Sequence, residues 1–238
     1  FRHLYALKRL VTGAQFLEIN PAAARKANDR FEDKKLRGDA SNLAASLSEI
    51  QRKSATHVRP NGALADISAD LAMLISEVTN VRVLDNEKSK EYAFDVELRD
   101  GTSFSSRVIS DGTIRLLALL TVIDDPNREG ILCFEEPENG VHEGRIPDLI
   151  DILRSATDTQ DRDGDFFQVL INTHSPAVMR SLRPEEVLFA DMVRTMPVGS
   201  DIPETKTRMR RIAPDKTLFD DEHHDDDEHH DEENLGYL

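Results

Sequence analysis

Two adjacent carboxylates, Glu135 and Glu136, follow directly on an uninterrupted apolar run, Ile131-Leu-Cys-Phe134. A run without alternation reads as a strand buried on both faces, as in a parallel sheet covered by helices. Open α/β sheets bind their ligands beyond the carboxyl ends of such strands. There one carboxylate, Glu135, can hold Mg²⁺ through water while the next, Glu136, orients or deprotonates an attacking water, the division of labour of phosphoryl transfer. A second apolar run, Val169-Leu-Ile171, leads into Asn172-Thr-His174-Ser-Pro176 and places an imidazole beyond another strand end. A third segment, Val108-Ile-Ser110-Asp111-Gly112-Thr113, is a small polar turn before the apolar helix Ile114 to Ile123. Ser110 and the Gly112 backbone N–H would offer donors and a positive helix end to a phosphate. Each feature alone has a plainer reading, because Glu-Glu pairs are common on surfaces and a histidine after a strand is often only hydrogen-bonded locally.

The elements that must position these residues follow from periodicity. Leu43, Leu47 and Ile50 share one helical face between Asn42 and Ile50, and Leu64, Ile67, Leu71, Leu74, Ile75 and Val78 give a longer amphipathic helix. Strands are expected at Val81 to Leu84, Glu91 to Leu98 and Thr102 to Phe104, with Arg99-Asp-Gly-Thr102 as a hairpin turn. Tyr92, Phe94, Val96 and Leu98 alternate with Ala93, Asp95 and Glu97, the pattern of a half-buried antiparallel strand. Ile146, Leu149, Ile150 and Leu153 predict a helix, and Phe166 to Ile171 and Val187 to Ala190 predict further strands. The alternation implies an α/β fold, a mixed sheet with helices on its faces. Thr205 to Ile212, basic at Lys206, Arg208, Arg210 and Arg211, reads as an exposed edge strand, either simply solvated or with an electrostatic role toward phosphates.

Taken together and in order, the three segments resemble three motifs of ABC-type ATPases. Ile109-Ser-Asp-Gly-Thr113 resembles the signature, Ile131 to Glu136 the Walker B strand with its catalytic glutamate, and Val169 to His174 the switch-histidine strand. The wording Glu-Glu-Pro-Glu-Asn-Gly-Val-His142, with Asn-Thr-His-Ser-Pro176, is similar to the RecF/SMC-like predicted ATPases of the AAA-15 and OLD-type group, over roughly residues 36 to 191. That resemblance implies the C-terminal lobe of an ABC/SMC-like P-loop ATPase head with ATP and Mg²⁺ as cofactors. Glu136 would be the general base and His174 would contact the γ-phosphate. Glu135, where the family often has Asp, would be the second-sphere Mg²⁺ ligand. Ser110, Asp111 and Gly112, braced by Arg115, would act on nucleotide held by the opposite subunit. Asn139 and Gly140 lie in the loop that would cross the interface, and they also suit a tight turn. Two heads would close on ATP as a homodimer or higher oligomer. The resemblance also implies coupling to nucleic acid, in repair or anti-phage defence, with a partner nuclease or effector.

One departure matters. No Gly-x-x-x-x-Gly-Lys-Ser/Thr occurs in the 238 residues, so the phosphate-cradling Walker A loop is missing. The chain begins with Phe1 and is expected to be the C-terminal part of a longer polypeptide, with a split or a degenerate ATPase as the alternatives. Alone it is not expected to hydrolyse nucleotide. The organisation expected is a helical segment at 1–60, the end of an insertion or lid, then an ATPase core at 61–191. A basic strand region at 192–218 and an acidic, His-rich tail at 219–238 would follow.

Composition bounds the rest. The formal net charge is −15, of which residues 220 to 233 carry −10, with ten carboxylates, four histidines and no Lys or Arg. Such a tail cannot offset the entropy of ordering and is expected to be disordered; metal capture, nucleic-acid mimicry and simple solvation are its possible uses. The lone Cys133 excludes a disulfide framework. The longest apolar stretch, Ile114 to Ile123, is 10 residues, against the roughly 20 that span a bilayer. A cytoplasmic protein with no membrane partner is expected. The competing functions are a non-hydrolysing scaffold that dimerises through an ATPase fold, and a transporter ATPase subunit, disfavoured by the Pro-Glu-Asn-Gly-Val-His loop.

Overall fold

A helix that is apolar on all sides must be buried on all sides, and Asp111–Ile123 is such a helix: Ile114 and every residue from Leu116 to Ile123 are buried. Thr121 satisfies its hydroxyl within the turn, donating to Leu117 O at 2.6 Å. The structure is a computed structural model describing residues 2–158, 167–196 and 203–211, in two units, Phe1–Ser181 and Leu182–Leu238. In the first unit the chain runs α1 (Arg2–Thr12), β1 (Gln15–Leu17), α2 (Pro21–Ala24), β2 (Asn28–Asp29), α3 (Leu43–Ser54), α4 (Leu64–Leu74), β3 (Val78–Asn86), β4 (Glu91–Leu98) and β5 (Ser103–Ser105). The buried helix is α5 (Asp111–Ile123), followed by β6 (Gly130–Glu135), α6 (Ile146–Thr157), β7 (Phe167–Asn172) and α7 (Pro176–Ser181). The fold is mixed α/β with parallel and antiparallel sheets, and the two kinds of pairing occupy separate sheets.

The antiparallel sheet has the order β2-β4-β3, with β5 also on β4. Phe94 and Val96 of β4 are buried, and α3 and α4 pack on this sheet. The turn to β5 uses Gly101 at φ +83°, where glycine alone is unstrained, and closes with Leu98 N donating to Thr102 O at 2.8 Å. The expected helix from Leu64 to Val78 is shorter. It ends at Leu74, Ile75 caps it in extended conformation, and Val78 opens β3 with its side chain buried. The β-branched residues Val78, Thr79, Val81 and Val83 favour a strand there over the helical spacing they also satisfy.

The parallel sheet has the order β1-β6-β7. β1 was not foreseen, because three residues carry too little pattern to read. Neither β6 nor β7 is buried on both faces as expected. In β6 Leu132 and Phe134 are buried while Ile131 and Cys133 are only half-buried, and β7 alternates along its whole length. Registered pairs Phe16↔Cys133 and Cys133↔Leu170 form one row across the three strands. Phe16 is 69% exposed and Leu170 56%. One face of this sheet is packed, and the other presents an apolar row to solvent.

In the second unit, β8 (Leu188–Thr195) pairs antiparallel with β9 (Glu204–Arg211) over their whole length. The strand expected at Val187 to Ala190 is thus part of a separate ribbon rather than of the mixed sheet. The basic strand falls where expected, and every residue of it is exposed. The acidic tail and its expected disorder lie outside the described residues.

Candidate active site

The signature-like turn is built by capping. Ser110 sits in extended conformation before α5, and its Oγ accepts from Thr113 N at 3.1 Å. The arginine that holds this turn is Arg25, which the sequence does not advertise. Its Nε and Nη2 donate to Ile109 O at 2.9 and 2.7 Å, and Nη2 also pairs with the Asp111 carboxylate. Arg25 O in turn accepts from Ser106 Oγ at 2.8 Å. Arg115 lies half-buried one turn along α5, and none of the motif contacts comes from it.

The carboxylates sit at the carboxyl end of β6. Glu135 is in register with Asn172 of β7, and Glu135, Glu136 and His174 are all exposed. Glu136 adopts φ +48°, a left-handed conformation rare outside glycine. Its neighbours over-determine it. Glu136 N donates to Asn172 O at 2.7 Å, Asn139 N donates back to Glu136 O at 3.1 Å, and Asn139 Nδ2 donates to Glu136 Oε2 at 2.7 Å. Strain of this kind, of order 1–3 kcal/mol, persists only where the surroundings enforce it.

Glu138 joins the same loop to the histidine turn. Its Oε1 accepts from Thr173 Oγ1 at 2.5 Å, and Thr173 Oγ1 accepts from Ser175 N at 2.9 Å. Glu138 Oε2 is buried without a partner among the described residues. Glu138 opens the Glu138 to His142 loop expected to cross the interface, but the sequence assigns neither it nor Thr173 a role of its own. On its far side the loop meets the signature turn. A Cβ on Gly140, at φ +99°, would stand 2.4 Å from Gly112 Cα, and one on Gly112 would stand 2.7 Å from Gly140 Cα. Only two glycines permit that approach. The loop from Glu136 to Gly140 is therefore tied to both of the other segments: hydrogen bonds join it to the Asn172–Ser175 turn and a backbone contact joins it to Ser110–Gly112.

A family described as "AAA domain, putative AbiEii toxin, Type IV TA system" matches residues 5–180. The chain belongs to this family. That membership supplies the coarse assignment, an ATPase-type nucleotide-binding domain. No curated protein matches the chain significantly. Among solved structures it is similar to one from work on the ATP-driven dimerization and DNA-stimulated activation of SMC ATPases, at 12% identity and TM-score 0.43, over 73% of this chain and 89% of that one. It is similar also to the Smc head domain of Pyrococcus furiosus bound to the C-terminal domain of ScpA, at 15% identity and TM-score 0.41, over 73% of this chain and 41% of that one. An Smc head bound to the C-winged helix domain of ScpA gives 13% and 0.43, over 75% and 48%. The chain thus spans less than half the length of the last two.

The AAA-family residues present fit part of a nucleotide. The cap of α5 and the exposed strand-end carboxylates suit phosphate oxygens and water-bound Mg²⁺. Among the described residues no three His, Cys, Asp or Glu side chains group into a metal site. The 238 residues hold no Gly-x-x-x-x-Gly-Lys-Ser/Thr. No helix among the described residues is long and apolar enough to cross a membrane.

Proposed function

We propose that this chain is the signature-bearing lobe of a Mg²⁺-dependent ATP hydrolase, completed by a Walker A half that it does not itself contain. The observation that carries the reading is the convergence of Glu135, Glu136 and His174 at neighbouring parallel strand ends, tied through Gly140 to the Ser110 cap. Mg²⁺–ATP, when bound, supplies the electrophilic phosphorus and the leaving diphosphate. Asn139 engages Oε2 of Glu136, which leaves Oε1 to take the proton of an attacking water. Glu135 would hold Mg²⁺ through water, and His174 would donate toward the terminal phosphate. Ser110 and the Gly112 N–H, at the positive end of α5, serve the nucleotide of an opposing head. Arg25 rather than Arg115 fixes the signature turn.

The open apolar row Phe16–Cys133–Leu170 supports the need for completion, because parallel sheets are normally covered on both faces. A strand and helix bearing the Walker A loop would cover it. Head closure on ATP would then act as a switch for a nucleic-acid transaction with a partner effector; the family's toxin description lends support to a defence role over repair.

ATP turnover tests the proposal, measured on the protein joined to its Walker A half, wild type against Glu136→Gln, with and without DNA. Turnover lost in the variant while ATP-bound dimers accumulate is the expected result. Neither binding nor turnover in the wild type would overturn it and leave a dimerisation scaffold in its place.

A further inference from the structure

The β8–β9 ribbon carries Arg194, Lys206, Arg208, Arg210 and Arg211 against Asp191 and Glu204, a local charge of +3 in a chain of net −15. The register Phe189↔Arg210, Asp191↔Arg208 and Val193↔Lys206 sets three of the cations on one face. Asp191 gathers two of them. It accepts from Arg208 Nε and Nη2 at 3.3 and 2.9 Å and from Arg210 Nη2 at 2.9 Å. The Nη1 donors of both guanidinium groups have no acceptor among the described residues, and both side chains are about half exposed. A two-stranded ribbon by itself is marginal in water, so a ligand that covers it also stabilises it.

We propose that Asp220–Glu233 of the same chain docks on this face. The segment has ten carboxylates and no Lys or Arg, the strongest complement to the ribbon anywhere in the sequence. Eight residues separate Arg211 from Asp220, a tether that reaches at most about 29 Å. The ribbon strands are eight residues each, about 27 Å long, so every cation on the face is within reach. Exposed ion pairs are individually weak, and the tether decides the outcome by presenting the polyanion at high effective concentration. Docking needs no nucleotide and stands apart from ATP hydrolysis. Its consequence is competitive: the guanidinium groups that would bind a nucleic-acid backbone are covered by the protein's own polyanion until a stronger one displaces it.

Carbodiimide coupling of the full chain tests the contact, in a Glu204→Gln background because Glu204 Oε2 lies 3.4 Å from Lys206 Nζ. An adduct joining Lys206 to a carboxylate of residues 220–233, formed at about 50 mM salt and lost at about 0.5 M, is the expected product. No such adduct, or tail adducts spread evenly over Lys35, Lys53 and Lys88, would overturn the proposal. A second measurement reads the competition with fluorescein-labelled oligothymidylate. Truncation after Phe219 is expected to tighten its binding about tenfold, and replacing Lys206, Arg208 and Arg210 by Gln is expected to abolish that gain. A gain that survives the triple replacement would mean general repulsion by the tail and would also overturn docking.

Discussion

The antiparallel sheet around β4 and the parallel sheet around β6 lie in one unit but differ in how far their faces are covered. Phe94, at the centre of the first, is 0% exposed beneath α3 and α4, while Phe16 and Leu170 of the second lie open on either side of a half-buried Cys133. The lesson is that the first sheet is a packed core, while the second carries Glu135 at the edge of a layer with one open face. The largest effect that could break this contrast is in the packed core. Phe94→Ala is expected to cost about 3–5 kcal/mol, the range for a fully buried aromatic, measured as a shift of the urea midpoint. A cost below about 1 kcal/mol would mean that the sheet is loosely packed and the contrast false.

An electrostatic defect beside the packed core gives the next largest effect. Asp124 caps the C-terminus of α5, and its Oδ2 is buried without a partner among the described residues. Burial, followed by the nearby Asp70, pushes its carboxyl up to about 7, with Arg128 opposing. The negative end of the helix works in the same direction. The folded state thus prefers the protonated form. The stability this provides is fully present below the unfolded value near pH 4 and is lost as pH rises through about 7. Asp124→Asn keeps the neutral form at every pH. Its gain over wild type is expected to be near zero at about pH 4 and to reach about 2–4 kcal/mol above pH 7. A gain independent of pH would show that Asp124 is not the titrating group.

What could be read from the sequence divides along the same line. β4 was legible to the residue, Glu91–Leu98, because a sheet with one filled face writes a period of two into its side chains. β6 and β7 were placed correctly but given the wrong burial, since Ile131 to Phe134 is apolar whether or not a second layer covers it. The strand-end residues Glu135, Glu136 and His174 could be singled out because their types and order suit phosphate chemistry. Arg25 could not. It grips Ile109 O from 84 residues away, and an arginine after a four-residue helix looks like any other. The Gly112–Gly140 contact was equally silent, because each glycine had a sufficient local reason to be there.

The smallest effect is expected on the open face of the parallel sheet, and it sharpens the comparison most. Leu170→Lys places an ammonium in the middle of the open row Phe16–Cys133–Leu170. A side chain already 56% exposed gives up little on replacement, and a lysine can keep its head in water while its stem lies along the sheet. The change in urea midpoint should correspond to less than about 0.5 kcal/mol, the range for surface positions. The same substitution would bury an unpaired charge once a helix covers the face, so it should abolish association with a separately expressed Walker A half. A loss of about 2 kcal/mol or more in the chain alone would mean that Leu170 is already covered, and the parallel sheet would then be as complete as the antiparallel one.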